Sequence, residues 1–165
     1  MVRLFFAALF SFVLCAAHVT HAAEDTTKAE PSEAALAFVG QFSDNQLSGM
    51  LSRVGARTET MMMLGQVNGR LTEQIFNAEI DAAIDRHGDA WRRNMALAWT
   101  PLLTDDEMLS LAADAQLSPH TEKYASLRTD AGRAMQDLSG DLFRQILQEV
   151  VSNTFATVKA AADTE

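Results

Sequence analysis

Few side chains in this sequence could carry a reaction. The one cysteine is Cys15, and no Gly-x-Ser-x-Gly or Ser-x-x-Lys spacing is present to activate a serine. Nucleophilic catalysis therefore has no sequence signature. Two of the four histidines, His18 and His21, lie in the N-terminal apolar region, which leaves His87 and His120 as neutral-pH bases. Ile84 and Leu117 stand three residues ahead of them, so the Glu-x-x-His pairs of carboxylate-bridged metal bundles are missing. No metal and no cofactor are expected. A glutamate in a cleft could act as general acid in peptidoglycan cleavage, and Glu73, Glu79 and Glu107 sit in helical segments. Glu107, however, has a capping role, and Glu73 and Glu79 fall on an expected solvated face. The Gly-Leu-Met-Gln motif of lytic transglycosylases is absent. The balance is against an enzyme.

Two clusters invite a binding role instead. Met61-Met62-Met63 offers soft thioethers of the kind that bind copper. Consecutive helical residues point about 100° apart, so one or two at most could face an ion, and packing is the better reading. A Met-lined groove for a peptide or lipid chain is the functional alternative. Arg86, Trp91, Arg92 and Arg93 form a basic cluster on an acidic chain, and Trp and Arg are enriched at binding hot spots. They are the candidate partner-binding residues. The competing reading turns Trp91 into the core and pairs the arginines with Asp85 and Asp89.

These residues must be positioned by helices. Apolar residues recur at i, i+3 and i+4, and no useful stretch alternates with period two. The expected fold is all-α, a compact single-domain bundle of about five to seven helices. Leu36, Val39 and Phe42 share a face of a first short helix; Ser43 is placed to cap a second, closed by Gly55. Met61, Leu64, Leu71, Ile75, Ala78 and Ala82 form a stripe, widened by Phe76, Ile80 and Ile84, that predicts a long helix ending at Gly88. Trp91, Met95, Ala98, Trp99 and Leu102 mark a further helix that Pro101 ends or kinks. Thr104-Asp105-Asp106-Glu107 reads as a capping box with acids at the positive end of the helix dipole. Ser118-Pro119 reads as another cap. The last helix is expected from about Asp130 through Met135, Leu138, Leu142, Phe143, Ile146, Val150 and Phe155, with a bend at Ser139-Gly140. The predicted core includes Leu71, Ile75, Trp99, Leu142 and Ile146.

Residues 91 to 150 resemble a helical domain of unknown function found in secreted bacterial proteins. That family's pattern is an aromatic helix, then Thr-x-x-Glu-Leu, then Phe-Tyr-x-Ser-Pro-x-Gly-x-Lys. Thr104-Asp105-Asp106-Glu107-Met108 stands at the first motif, and Ser126-Leu127-Arg128-Thr129-Asp130-Ala131-Gly132-Arg133 at the second. Leu127 and Asp130 replace the aromatic and the proline. The resemblance implies a helical fold and an exported protein, and brings no reaction with it.

The N-terminus points the same way. Arg3 precedes an apolar run from Leu4 to Ala17, and Thr20-His21-Ala22 has small residues where a signal peptidase cuts. The run is shorter than the roughly 20 residues that span a bilayer. Leu14 ahead of Cys15 is too large for lipoprotein processing. Residues 1–22 are therefore expected to be a signal peptide, 23–30 a flexible leader, 31–160 the helical domain and 161–165 a frayed tail. Removing residues 1–22 leaves 12 basic against 22 acidic residues, a formal net charge of −10, and no cysteine. Such a chain repels nucleic acid and anionic lipid. The expected protein is periplasmic or secreted, has no stable membrane anchor after cleavage, and acts without catalysis by binding a protein or peptide, with a basic partner the easier match. An inhibitor of the immunity type, steered to a basic toxin, fits that description. The alternative is an envelope enzyme, or a small apolar-ligand carrier with a Met- and aromatic-lined pocket.

Overall fold

The recurring three- and four-residue apolar spacing resolves into helices alone. A computed structural model describes residues 30–163, and no strand occurs among them. The expected signal peptide, nearly all of the expected leader and the last two residues lie outside the described residues. Five helices follow in order: α1 (Glu33–Gly40), α2 (Ser43–Gly55), α3 (Glu59–Trp99), α4 (Asp105–Ala113) and α5 (Thr121–Ala162).

Side-chain caps set three of the starts. Ser32, Thr58 and Thr104 each accept from a backbone N–H in the first turn of α1, α3 and α4. At Thr104 the box is complete, because the Thr104 N–H donates to Glu107 Oε2 at 2.9 Å. The other two expected caps take different forms. Ser43 is the first residue of α2 rather than its cap, is fully buried, and donates to Asp44 Oδ1 at 3.1 Å. Ser118 holds the turn before α5, accepting from the His120 N–H at 3.2 Å and sharing a hydrogen bond with Ser110 at 2.9 Å.

α3 and α5, of 41 and 42 residues, form an antiparallel pair. The pairing shows in Glu79 with Asn153, His87 with Glu149, and Asn94 with Ser139. α2 packs along α3, while α1 is held between α3 and α4. One apolar cluster joins Phe38, Leu47, Leu51, Phe76, Ile80 and Trp91 with Trp99, Met108, Leu111, Ile146 and Val150.

Both long helices exceed their predicted limits. α3 passes straight through Gly88, which is buried, and continues to Trp99, where Pro101 follows. A mid-helix glycine costs about 1 kcal/mol; burying Trp91, Met95 and Trp99 beyond it contributes about 1.5–3 kcal/mol for each. α5 starts at Thr121, well before Asp130, because Tyr124 and Leu127 already pack against the core. It runs through Ser139-Gly140 as α-helix and reaches Ala162, into the expected tail.

The core face of α3 also differs from the expected stripe. Asn68 leaves helical geometry (φ −151°, ψ 80°), and its Oδ1 caps the restarted helix by accepting from the Leu71 N–H at 3.2 Å. The break resets the helical phase, so a stripe extrapolated from Met61 and Leu64 picks the wrong edge. Thr72, Phe76, Ile80 and Ala83 are buried, whereas Leu71 and Ile75 are only partly buried and Ala78 is exposed. Of the predicted core residues Trp99 and Ile146 are buried, and Leu142 packs against the core's edge. Leu36 is exposed on α1, whose inner face is Ala34, Ala35, Phe38 and Val39.

Candidate functional site

α2 and α5 both pack on α3 but touch one another little, and the space between them is a groove. Its floor is Trp91, Met95, Ala98 and Trp99 of α3. Phe42, Asn45, Gln46 and Met50 form the α2 wall. The α5 wall is the helical face that carries Tyr124, Arg128, Gly132, Gln136, Ser139 and Phe143. Two cavities of about 450 and 350 Å³ make up the groove and share Gln46, Gly132 and Met135.

The two ends of the groove differ in character. At one end Phe38 stacks edge-on against Phe42, Trp99 and Tyr124 at centroid distances of 5.5, 5.6 and 5.7 Å. At the other, Trp91 meets Phe143 at 6.2 Å near Met50 and Met135. Two glycines keep the α5 wall low. A Cβ built on Gly132 or Gly140 would meet nothing within 4 Å, so no internal contact requires either glycine. The Trp91 side chain is 2% exposed, and its Nε1–H has no acceptor among the described residues.

No carboxylate or histidine lines the groove, and Arg128 is its one charged side chain. Arg128 is exposed and has no ion-pair partner among the described residues.

The four residues singled out by sequence are divided among three places. Trp91 is in the groove floor. Arg86 pairs with Glu149 of α5. Arg92 bridges Asp44 and Asp89, each at 3.1 Å, and Arg93 Nη2 lies 3.0 Å from Glu30 Oε1. Arg92 and Arg93 line a separate cleft with Leu36 and Gly40. Of the methionine triplet, Met61 is buried while Met62 and Met63 are more than half exposed, and none of the three lines the groove.

Both histidines meet a glutamate. His87 Nε2 is 2.9 Å from Glu149 Oε2, and His120 Nδ1 is 3.7 Å from Glu107 Oε1. Hydrogen bonding to His87, joined by Arg86, lowers the Glu149 pKa. Hydrogen bonds from Lys123 and then from the Thr104 N–H pull Glu107 down to about 2. A general acid needs its pKa raised, so both carboxylates are shifted the wrong way for that role. Glu107 is a structural tie between α4 and α5. No group of three or more metal-binding side chains occurs among the described residues.

Sequence reading missed Phe42, Gln46, Tyr124 and Gln136 as groove residues. A signal was available: Arg128, Gly132, Gln136, Ser139 and Phe143 follow one another at helical spacing, and two glycines persist inside a helix without terminating it. The fold and site thus define an all-α bundle with an open groove of mixed apolar and amide lining between two helices. No protein family, curated protein or solved structure matches this chain.

Proposed function

We propose that this chain is a non-catalytic protein, exported to the periplasm or beyond, that acts by binding another protein or peptide through the groove between α2 and α5. One observation carries the reading: the groove is lined by aromatic, methionine and amide side chains, is open to solvent along α5, and has no carboxylate or histidine in its lining. Aromatic and methionine side chains are the types enriched where proteins bind one another. The signal-like N-terminus supports the compartment. An immunity-type inhibitor falls within this reading. The apolar-ligand carrier draws on the same lining, yet an exposed wall of Gly132 and Gln136 encloses nothing.

Gly132→Trp tests the assignment. Its side chain enters open space, so the fold should hold while the groove fills. A partner that co-purifies with the parent chain from envelope extract should be lost with the variant at an unchanged unfolding midpoint. Equal capture by both chains would move the binding surface elsewhere.

A further inference from the structure

We propose that the groove receives an apolar peptide segment bearing one carboxylate, which docks on Arg128; this rests on the groove being the binding surface. Three observations on separate elements lead to it.

The first is charge. Twenty-two acidic residues face thirteen basic ones in the whole chain, yet the groove carries a cation and no acid. That cation is exposed and unpaired among the described residues, whereas Arg86, Arg92 and Arg93 are all engaged. An isolated cation beside an apolar surface selects a single anionic group next to apolar residues. The surrounding acidic field repels an extended acidic tract. The site therefore calls for one carboxylate.

The second is the buried donor. Trp91 lines the groove at 2% exposure with its Nε1–H unsatisfied among the described residues. A buried donor without a partner is costly, and the penalty is relieved where an acceptor reaches it. Asn45, Gln46 and Gln136 add amide groups along the same groove. A peptide offers a carbonyl at every residue; an acyl chain offers none beyond its carboxylate. The polar groups thus favour a peptide over a fatty acid.

The third is space. Gly132 and Gly140 leave the α5 wall without side chains where nothing inside the protein needs the room. From Arg128 to Phe143 the wall extends about 22 Å at 1.5 Å per residue. That length accommodates about six or seven residues of extended chain.

The experiment is selection of a phage-displayed random dodecapeptide library on the full processed chain, with Gly132→Trp as the blocked control. Both tryptophans of the chain line the groove, so intrinsic fluorescence reports its occupancy by synthetic versions of the selected peptides. Palmitate is titrated in parallel. The expected result is enrichment of apolar sequences with one Asp or Glu, weakened about tenfold or more by Arg128→Glu, which should in turn select Lys or Arg in its place. Enriched peptides that lack a carboxylate, or that bind Arg128→Glu equally well, would overturn this inference and leave the groove as a peptide site. Absence of any enrichment over Gly132→Trp would overturn both readings, and saturable quenching by palmitate alone would assign the groove to an acyl chain.

Discussion

Three hydrogen bonds from two donors converge on the Glu107 carboxylate. Its Oε2 accepts from the Thr104 N–H at 2.9 Å, and both oxygens accept from Lys123 Nζ at 2.8 and 2.7 Å. These bonds favour the ionised form, which places the folded-state pKa near 2 against an ordinary 4.5. A lowered carboxylate contributes stability above its unfolded pKa and loses that contribution as pH falls through the folded one. The unfolding midpoint in urea should therefore drop between pH 4.5 and about 2, and Glu107→Gln should flatten part of that drop. Glu149 is shifted in the same direction and supplies another part, so the flattening is incomplete. Thr104→Ala removes the acceptor for the Glu107 N–H and should cost about 0.5–2 kcal/mol at neutral pH. A Thr104→Ala chain as stable as the parent would mean that the cap contributes nothing. The box was legible because four adjacent residues define it; Lys123 was not, because its partnership depends on how α5 returns past α4.

At the scale of helices, the two buried glycines should behave in opposite ways. A Cβ on Gly55 would lie 2.6 Å from Phe76 Cζ, and the Phe76 ring is itself in the core. Gly55→Ala should destabilise by about 1–3 kcal/mol through overpacking. On Gly88 the nearest atoms would be Ile84 Cγ2 at 3.6 Å and Asp44 Oδ1 at 3.7 Å, ordinary contacts. Gly88→Ala should stabilise by about 0.5–1 kcal/mol, since alanine loses less backbone freedom in a helix. Calorimetric midpoints that shift the same way for both would contradict this account. Ile146→Asp, which puts a charge at a fully buried position on α5, should cost several kcal/mol and is the control for a core position. The glycines also explain what could be read in advance. Gly55 ends α2 as its sequence indicates, but Gly88 and Gly140 look equally like breaks and are not. Local propensity is worth about 1 kcal/mol per glycine, and the apolar residues on either side of Gly88 outweigh it. The break in α3 falls at Asn68, immediately ahead of Gly69, in the first third of the helix, where Gly65 and Gly69 lower helix propensity.

For the whole molecule, the all-α fold followed from periodicity, whereas the groove did not. Its walls come from helices that touch α3 more than each other, and that arrangement is a property of three-dimensional packing rather than of any one stretch of sequence. The N-terminus poses the converse case: a strong sequence pattern in residues outside the described structure. Cleavage after Ala22 would leave Ala23-Glu24-Asp25 at the start of the chain. Among the described residues, the first ties are made by Glu30 and Ser32, downstream of that cut. Glu30 pairs with Arg93, and Ser32 both caps α1 and donates to Asp105 Oδ1 at 2.7 Å. Processing at Ala22 should therefore spare the Glu30 and Ser32 ties, while a chain beginning at Glu33 should lose about 1 kcal/mol with the Ser32 cap. N-terminal sequencing of protein from the periplasm should read Ala23 first, and urea unfolding should separate the Ala23 and Glu33 chains. Intact Met1 in a soluble cytoplasmic fraction would overturn export. Equal midpoints for the two truncated chains would show that α1 gains nothing from the residues that precede it.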